Sequence, residues 1–301
     1  MSPRVILSLG IIGSLIGAAA AAVQSNSGAQ PWGPTLAANM MLARLIPFVL
    51  ALGVSVGVAR ALHAARAPSP ETPARLAPGT IALHWITAIG VVLDLATGAW
   101  QYLKGVLDVS SPVLMATVYR LHYFGAMLIL FASSAMLTYW WLRPDRPLLV
   151  PAGQRIRYLR GLAHELPRPF GATLAALVGL DMRRQPPPTG QFTYYQSMLS
   201  FPIWSALLGL VTITGLLKAM RYIYPIPGDV LWWSSTLHVA AMVMIGVKLL
   251  DHIRHALEPS RWPALKAMFT GRVSRSYLDR THPAWASGSD PVSTAPTEAA
   301  P

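Results

Sequence analysis

Five long apolar segments dominate the sequence and constrain its fold more than any other feature. They span residues 39–60, 80–103, 113–142, 196–219 and 231–255. Each is long enough to cross the roughly 30 Å of hydrocarbon in a bilayer, for which a helix needs about 20 residues. Inside that hydrocarbon every backbone polar group must be bonded within the protein, and a helix meets this requirement. The sequence therefore predicts an all-α integral membrane helix bundle.

A shorter apolar run precedes these segments. Residues 5–22 follow the basic Arg4 and end in a series of small residues. This pattern is typical of a secretory signal peptide or of an uncleaved signal anchor, and we assign it to residues 1–23. The segment 39–60 is then one extra transmembrane helix ahead of a four-helix core at residues 80–255. The remainder, 256–301, is predicted to be a cytoplasmic tail that is disordered from about residue 287, because that part is rich in Ser, Pro, Ala and Thr.

The chain has a formal net charge of +12, which is typical of nucleic-acid-binding proteins and also of membrane proteins with one basic face. The positions of the charges decide between these classes. Of the 24 Lys and Arg residues, 17 lie in stretches 60–79, 143–195 and 254–280, whereas the alternate loops contain only Lys104 and Arg221. The positive-inside rule makes the basic side cytoplasmic. We therefore expect no nucleic-acid partner and a multi-pass protein of the bacterial inner membrane, with a cytoplasmic loop at 143–195 and a cytoplasmic C-terminus.

The chain contains no cysteine, which excludes thiolate-held iron–sulfur clusters, covalent haem attachment and disulfides within it. A bound cofactor must therefore use histidine, methionine or oxygen ligands. Of the eight histidines, four lie inside apolar segments: His84, His122, His238 and His252. The other four fall at or beyond the cytoplasmic boundary and are interpreted as surface residues: His63, His164, His255 and His282.

The last apolar segment carries two histidines on one face. His238 and His252 are 14 residues apart, so on a helix they differ by ~40° in direction and by ~21 Å in height. The alternating topology places His122 and His238 in the outer half of the membrane, and His84 and His252 in the inner half. Two bis-histidine sites at two depths suit two haem b groups that carry electrons across a bilayer.

Single histidines in membrane helices usually form hydrogen bonds, but four that pair by depth favour metal ligation. Gly98 and Gly125 lie near the outer pair, where they suit either close approach of a flat macrocycle or ordinary helix packing. Asp94 is a candidate for a proton path. Basic residues that are candidates to neutralise haem propionates, unless they only snorkel to the interface, are Arg120 at the outer site and Arg254 or Lys248 at the inner site.

Several motifs within about residues 80–286 resemble the cytochrome b (gamma) subunits of respiratory formate dehydrogenases and their hydrogenase and thiosulfate reductase relatives. Leu83-His84-Trp85 with Thr97-Gly98 resembles the first core helix of that family, and Arg120-Leu121-His122 the second. Residues 190–196 resemble the lead-in to the third helix, which ends in Thr214-Gly215-Leu216, and the His238–His252 spacing is that of the fourth. Residues 267–273 and 282–285 are similar to the formate dehydrogenase tail.

The resemblance implies roles for particular residues. In that family the first core histidine pairs with the last and the second with the third. This implies the metal-ligand pairs His84–His252 at an inner haem b and His122–His238 at an outer one. The resemblance also implies a menaquinone or ubiquinone site beside the inner haem. The residues at the corresponding positions are Thr193, Tyr195 and Gln196, where the family has Asn in place of Thr193 and Gly in place of Tyr195.

The function implied by the resemblance is that of a membrane anchor subunit that transfers electrons between quinone and an iron–sulfur subunit bound to a catalytic subunit. Substrate chemistry would then lie on that partner, and this chain would contain no catalytic residue. Two redox alternatives stay open: the cytochrome subunit of a hydrogenase or thiosulfate reductase, and a stand-alone di-haem quinol oxidase or ferric reductase. A transporter or assembly anchor whose histidines only form hydrogen bonds is the non-redox alternative.

Overall fold

The computed structural model describes residues 2–26, 34–64, 76–107, 114–143, 148–151 and 153–287. These residues fold into helices joined by turns, and no β-strand occurs among them, which confirms the predicted all-α class. The tail predicted to be disordered beyond residue 287 lies outside the described residues. The helices in chain order are α1 (Pro3–Asn26), α2 (Pro34–Ala64), α3 (Pro78–Leu107), α4 (Met115–Trp141), α5 (Arg155–Glu165), α6 (Arg168–Val178), α7 (Phe201–Met220), α8 (Gly228–Leu257), α9 (Trp262–Thr270), α10 (Arg275–Thr281) and α11 (Pro283–Ala286).

Six of these helices are long and apolar enough to span a membrane, namely α1 to α4, α7 and α8. Five of them coincide with the five predicted segments, and the span at α7 begins with a π-helical turn at Gln196–Ser200. The sixth is α1, which contains the segment predicted to be a signal peptide or signal anchor. The role of this segment as a cleaved signal peptide or an uncleaved signal anchor stays a prediction. The length and apolar character of the six helices make this chain a multi-pass membrane protein.

The chain divides into two compact units, and we describe each by itself. The first comprises Met1–Ser69, Pro78–Leu142 and Leu207–Leu250, and the second comprises Pro70–Ala77, Arg143–Ala206 and Asp251–Pro301. The first unit therefore contains α1 to α4 and most of α7 and α8. The second contains α5, α6, the π-helical turn and α9 to α11.

Small residues bring the helices of the first unit into close contact. A Cβ atom on Gly90 of α3 would lie 2.8 Å from the Gly125 carbonyl oxygen of α4, so only glycine allows this approach. Gly53 and Gly57 of α2 face the Phe131 and Ala135 carbonyl oxygens of α4 in the same way. The Gly53-x-x-x-Gly57 spacing puts both glycines on one face, which is a common packing motif of membrane helices. Helix α4 is thus packed between α2 and α3.

The second unit has a small core of its own around Tyr158, Leu162 and Tyr194. The rings of Tyr158 and Tyr194 meet edge to face, with centroids 5.0 Å apart. Two of its helices end at glycines in the left-handed conformation, α6 at Gly179 (φ 67°) and α9 at Gly271 (φ 73°). Such glycines allow the chain to turn and leave a helix without steric strain.

His282 is buried in the second unit, so its interpretation as a surface residue is wrong. Its exposed fraction is 2%. The Nδ1 atom lies 2.7 Å from the Gly190 carbonyl oxygen, and the Ala284 amide donates to the Thr189 carbonyl oxygen at 3.1 Å. The C-terminal segment is therefore bonded to the stretch that leads into the π-helical turn. The hydrogen bond at Nδ1 offsets part of the desolvation cost of burying this histidine.

Candidate metal centre

His122 of α4 and His238 of α8 face each other within the first unit. Their ring centroids are 6.3 Å apart and their ring planes are inclined by 68°. Both side chains are half-buried among membrane-spanning helices. The structure thus brings together the two histidines that the topology predicts at the same depth. Their role as metal ligands stays a prediction.

A threonine holds each of these imidazole rings, an interaction that the sequence analysis did not identify. The Thr97 Oγ1 atom of α3 lies 3.0 Å from His122 Nδ1, and the Thr214 Oγ1 atom of α7 lies 3.0 Å from His238 Nδ1. Both threonines are buried. The available signal was a repeated Thr-Gly dipeptide, which precedes His122 and His238 by similar distances along the chain.

The glycine of each dipeptide lies against the same imidazole ring. A Cβ atom on Gly98 would lie 3.3 Å from His122 Cε1 and 3.4 Å from the Met242 sulfur, and one on Gly215 would lie 3.2 Å from His238 Cε1. Gly125, by contrast, faces Asp94 and the Gly90 carbonyl oxygen rather than either ring. Of the two readings given for Gly125, the structure therefore supports helix packing.

The geometry of the histidine pair fits a single metal between two imidazoles. Imidazoles bound to opposite sides of one metal, at the ~2.0 Å metal–nitrogen distance usual for histidine, have ring centroids roughly 6 Å apart. The observed separation is 6.3 Å. A bare metal ion needs three or four protein ligands, and the described residues contain no group of three or more His, Asp or Glu side chains able to hold one. Two opposed imidazoles therefore fit a haem iron, whose other four ligands come from the porphyrin.

Two titratable residues lie close to the pair, Lys218 and Asp94. The ammonium group of Lys218, one turn beyond Thr214 on α7, is near enough for its charge to act on both His122 and His238. Arg120, the residue predicted to pair with the outer propionate, is exposed at the start of α4. An Asp94 carboxylate oxygen lies 3.7 Å from His122 Nδ1, which is too far for a hydrogen bond.

The two histidines predicted for the inner site belong to different units. His84 of α3 is in the first unit, where its ring meets the Trp85 ring edge to face at 5.5 Å. His252 of α8 is in the second unit, where its ring meets the Trp204 ring edge to face at 6.2 Å. The pairing of His84 with His252 stays a prediction.

The predicted quinone residues Thr193 and Gln196 form a reciprocal helix cap. The Gln196 amide donates to Thr193 Oγ1 at 3.1 Å, and the Thr193 amide donates to Gln196 Oε1 at 2.9 Å. The Glu165 carboxylate accepts the two intervening amides, from Tyr194 at 3.1 Å and from Tyr195 at 2.6 Å. These bonds satisfy the donors that a helix N-terminus leaves unpaired. Burial raises the pKa of the Glu165 carboxyl above its ordinary value, against the opposing effect of these amides.

Tyr195 takes part in a polar cluster at the start of the second unit's part of α8. Its hydroxyl donates to Asp251 Oδ2 at 3.3 Å, and its ring stacks on the His255 ring with centroids 5.8 Å apart. Asp251 also lies 3.0 Å from His255 Nδ1 and 3.1 Å from an Arg254 nitrogen. Arg254, one of the candidates for the inner propionate, is thus paired with a carboxylate here.

Comparison with known proteins supports the haem interpretation. A model of the prokaryotic cytochrome b561 family matches residues 75–271, which is more than half of the chain. No curated protein and no solved structure matched it. The matched range covers all four intramembrane histidines, and cytochromes of this family typically bind haem b. The narrower resemblance to formate dehydrogenase subunits stays a prediction. The helical membrane fold and the family match agree that this chain belongs to the prokaryotic cytochrome b561 family.

Proposed function

We propose that this chain is a di-haem b-type membrane subunit that transfers electrons between an iron–sulfur partner and membrane quinone. The observation that carries this proposal is the opposed His122–His238 pair, with ring centroids 6.3 Å apart. A haem b bound between two imidazoles supplies reversible one-electron chemistry at its iron. The proposal is narrower than the family assignment, because it adds the number of haems, the quinone and the partner.

The residues around the pair have separate tasks in this proposal. His122 and His238 would supply the imidazole nitrogens that hold the outer haem b, and Thr97 and Thr214 orient the two rings. Lys218, one turn beyond Thr214 on α7, is the basic residue whose charge would pair with a propionate carboxylate. The surrounding apolar helices exclude water, which strengthens these polar interactions.

A second centre is proposed at His84 and His252. Helix α8 runs from Gly228 to Leu257 and carries both His238 and His252. Fourteen residues of helix correspond to a rise of ~21 Å, which suits one histidine in each half of the membrane. Two haem b groups at these depths suit electron transfer across the bilayer. His84 lies near the start of α3, whereas Gly98 lies nearer its end. The alternating topology places His84 in the same half of the membrane as His252, and the family resemblance implies the same pairing.

The orientation in the membrane follows from the distribution of basic residues. We expect a reporter fused after Pro301 to be cytoplasmic and one inserted after Lys104, near the end of α3, to be periplasmic. Protease accessibility or a pair of reporters active on opposite sides of the inner membrane measures this. A periplasmic C-terminus would invert the proposed electron path and place His122 and His238 on the cytoplasmic side.

The partner is proposed to be the iron–sulfur subunit of a formate dehydrogenase-like oxidoreductase, which also contains a molybdenum-type catalytic subunit. It is proposed to dock on the outer side, nearest the His122–His238 pair. The support is the C-terminal resemblance at 267–273 and 282–285, together with the family match. Substrate chemistry would then belong entirely to the partner.

Quinone is proposed to bind on the cytoplasmic side, beside Thr193, Tyr195 and Gln196. The cap described above uses Thr193 Oγ1 and Gln196 Oε1 in bonds to backbone amides. A hydroxyl oxygen has two lone pairs and an amide side chain has two N–H groups, so both residues keep capacity to bond a quinone carbonyl. The Tyr195 hydroxyl, beside Asp251, is a third polar group at the same turn.

The test uses the chain purified with its native partners through an affinity tag. We expect an iron–sulfur subunit and a catalytic subunit to co-purify, and we expect a soluble quinone analogue to reoxidise dithionite-reduced haem b. Gln196→Ala and Tyr195→Phe variants should reoxidise roughly tenfold more slowly while retaining both haems, since each loses a polar contact to the quinone. Stopped-flow absorbance of the ferrous haem bands measures the rate.

Glu165→Gln is the matched control for these variants. Glu165 stabilises the same turn through the amides of Tyr194 and Tyr195, yet it has no proposed contact with quinone. A slowed rate in Gln196→Ala with an unchanged rate in Glu165→Gln supports a quinone contact. Equal slowing in both variants would show that only the helix cap matters. If no subunit co-purifies and the chain alone oxidises quinol, the stand-alone alternative replaces the proposed one.

A further inference from the structure

The outer pair is held by the same local arrangement twice. Thr97-Gly98 of α3 faces His122 of α4, and Thr214-Gly215 of α7 faces His238 of α8. In both cases the threonine Oγ1 atom lies 3.0 Å from the imidazole Nδ1. In both cases the following glycine lies under the Cε1 edge of the same ring. In both helix pairs, α3 with α4 and α7 with α8, a threonine hydroxyl and the glycine that follows it thus contact the histidine ring in the same way.

The direction of each threonine–histidine hydrogen bond follows from the other bond that the hydroxyl makes. Thr97 Oγ1 lies 2.7 Å from the Leu93 carbonyl oxygen, and Thr214 Oγ1 lies 2.7 Å from the Leu210 carbonyl oxygen. A carbonyl oxygen only accepts, and a hydroxyl has a single hydrogen to donate. The hydroxyl hydrogen is therefore used by the carbonyl one turn earlier. The oxygen must accept from imidazole Nδ1–H.

This direction fixes the tautomer of both imidazole rings. With the hydrogen on Nδ1, the Nε2 atom of each ring carries an unshared electron pair, and this is the form that binds a metal. We infer that Thr97 and Thr214 are positioning residues of the outer metal centre, which set the tautomer, the rotation and the basicity of His122 and His238. This inference rests on the proposed function, because it takes the two histidines to be haem ligands.

The glycines are also needed, because the absence of a side chain lets each ring stay within hydrogen-bonding distance of the threonine hydroxyl. A side chain at position 98 or 215 would begin 3.2 to 3.3 Å from imidazole Cε1, which is tighter than an ordinary carbon–carbon contact. The ring would have to move away, and the 3.0 Å bond to the threonine would lengthen. Thr-Gly is thus one functional unit, in which the first residue bonds the ring and the second makes room for it.

The test compares Thr97→Val and Thr214→Val with Thr97→Ser and Thr214→Ser in the haem-loaded, full-length protein. Valine keeps the branched shape of threonine but cannot accept the Nδ1–H bond. We expect ten- to hundredfold weaker binding of the outer haem in the valine variants, as for other residues that support metal-bound histidines. We also expect its midpoint potential to rise, since a less basic imidazole stabilises ferric iron less. Serine should restore both properties.

Two internal controls accompany this comparison. The inner haem should keep its affinity and potential in every variant. Thr236→Val on α8 removes a hydroxyl that bonds the Trp232 carbonyl one turn earlier at 3.0 Å but is exposed, so it should change neither haem. If a valine variant does not accumulate, the alanine variant at the same position replaces it.

Unchanged haem affinity and potential in the valine variants would overturn the inference, and so would equal loss in the valine and serine variants. Both outcomes concern only the role of the two threonines and leave the assignment of His122 and His238 as haem ligands unaffected, so they do not bear on the proposed function. The proposed function fails by a separate result, namely retention of two haems both in the His122→Ala variant and in the His238→Ala variant. Haem content is read by the pyridine haemochrome assay and potentials by redox titration.

Discussion

Replacing His238 by alanine is expected to reduce the haem content of the purified chain from two haem b groups to one. The His122 and His238 rings oppose each other with centroids 6.3 Å apart, and removal of one leaves the outer haem with a single axial ligand. With one imidazole left, the protein would make one bond to the haem iron instead of two, and the haem would bind much more weakly. His122→Ala should give the same result. The pyridine haemochrome assay, normalised to protein, measures the stoichiometry.

The double variant and one surface variant sharpen this experiment. His122→Ala with His238→Ala should lose no more haem than either single variant, because both residues serve one site. His63→Ala, at the exposed end of α2, should keep two haems. His84→Ala and His252→Ala should each remove the other haem. Two haems retained in both His122→Ala and His238→Ala would show that the outer assignment is wrong.

Replacing Gly90 by alanine is expected to destabilise the first unit by about 1–3 kcal/mol, the usual cost of overpacking a tight interior. The added Cβ atom would lie 2.8 Å from the Gly125 carbonyl oxygen and 2.9 Å from Ile129 Cγ1. A backbone carbonyl in a helix cannot move aside, so α3 and α4 would have to separate. Fluorescence-detected size-exclusion chromatography after a series of heat steps measures the change.

Gly105→Ala is the matched control because it lies in the same helix and has no atom within 4 Å of an added Cβ. It should be neutral or stabilise the helix by up to about 1 kcal/mol, since alanine is the better helix former. Equal thermal stability of the two variants would contradict the packing of α3 on α4. Because Gly90 and His122 both contact this interface, Gly90→Ala should also loosen the outer haem.

The sequence was sufficient to predict the membrane fold because its signals are local. An uninterrupted apolar run of about 20 residues predicts a transmembrane helix without knowledge of its neighbours. The pairing by depth of His122 with His238 needed only the alternating topology and a helical rise, and the structure places the two rings opposite each other. The inner pair was predicted by the same reasoning, and it remains untested.

The contacts around the site could not be predicted from local sequence patterns, because they depend on which helix packs against which. The apolar pattern shows that Thr97 and Thr214 lie within membrane helices, but nothing local shows that their hydroxyls reach imidazoles 25 and 24 residues away. The Thr193-x-x-Gln196 cap was readable in principle, since that spacing before an apolar run is a known helix-start signal. His282 was assigned to the surface because it lies beyond the cytoplasmic boundary of the last membrane segment, whereas its partner Gly190 lies 92 positions earlier in the chain.

The bond between His282 and Gly190 has a consequence for the order in which the protein is made. The two residues are 92 positions apart, and His282 is among the last described residues of the chain. Synthesis at about 5–20 residues per second separates their appearance by several seconds. The stretch that leads into the α7 span is therefore synthesised before its buried histidine partner exists. A nascent chain arrested before His282 would lack the hydrogen bonds that the C-terminal segment makes to the Thr189 and Gly190 carbonyl oxygens.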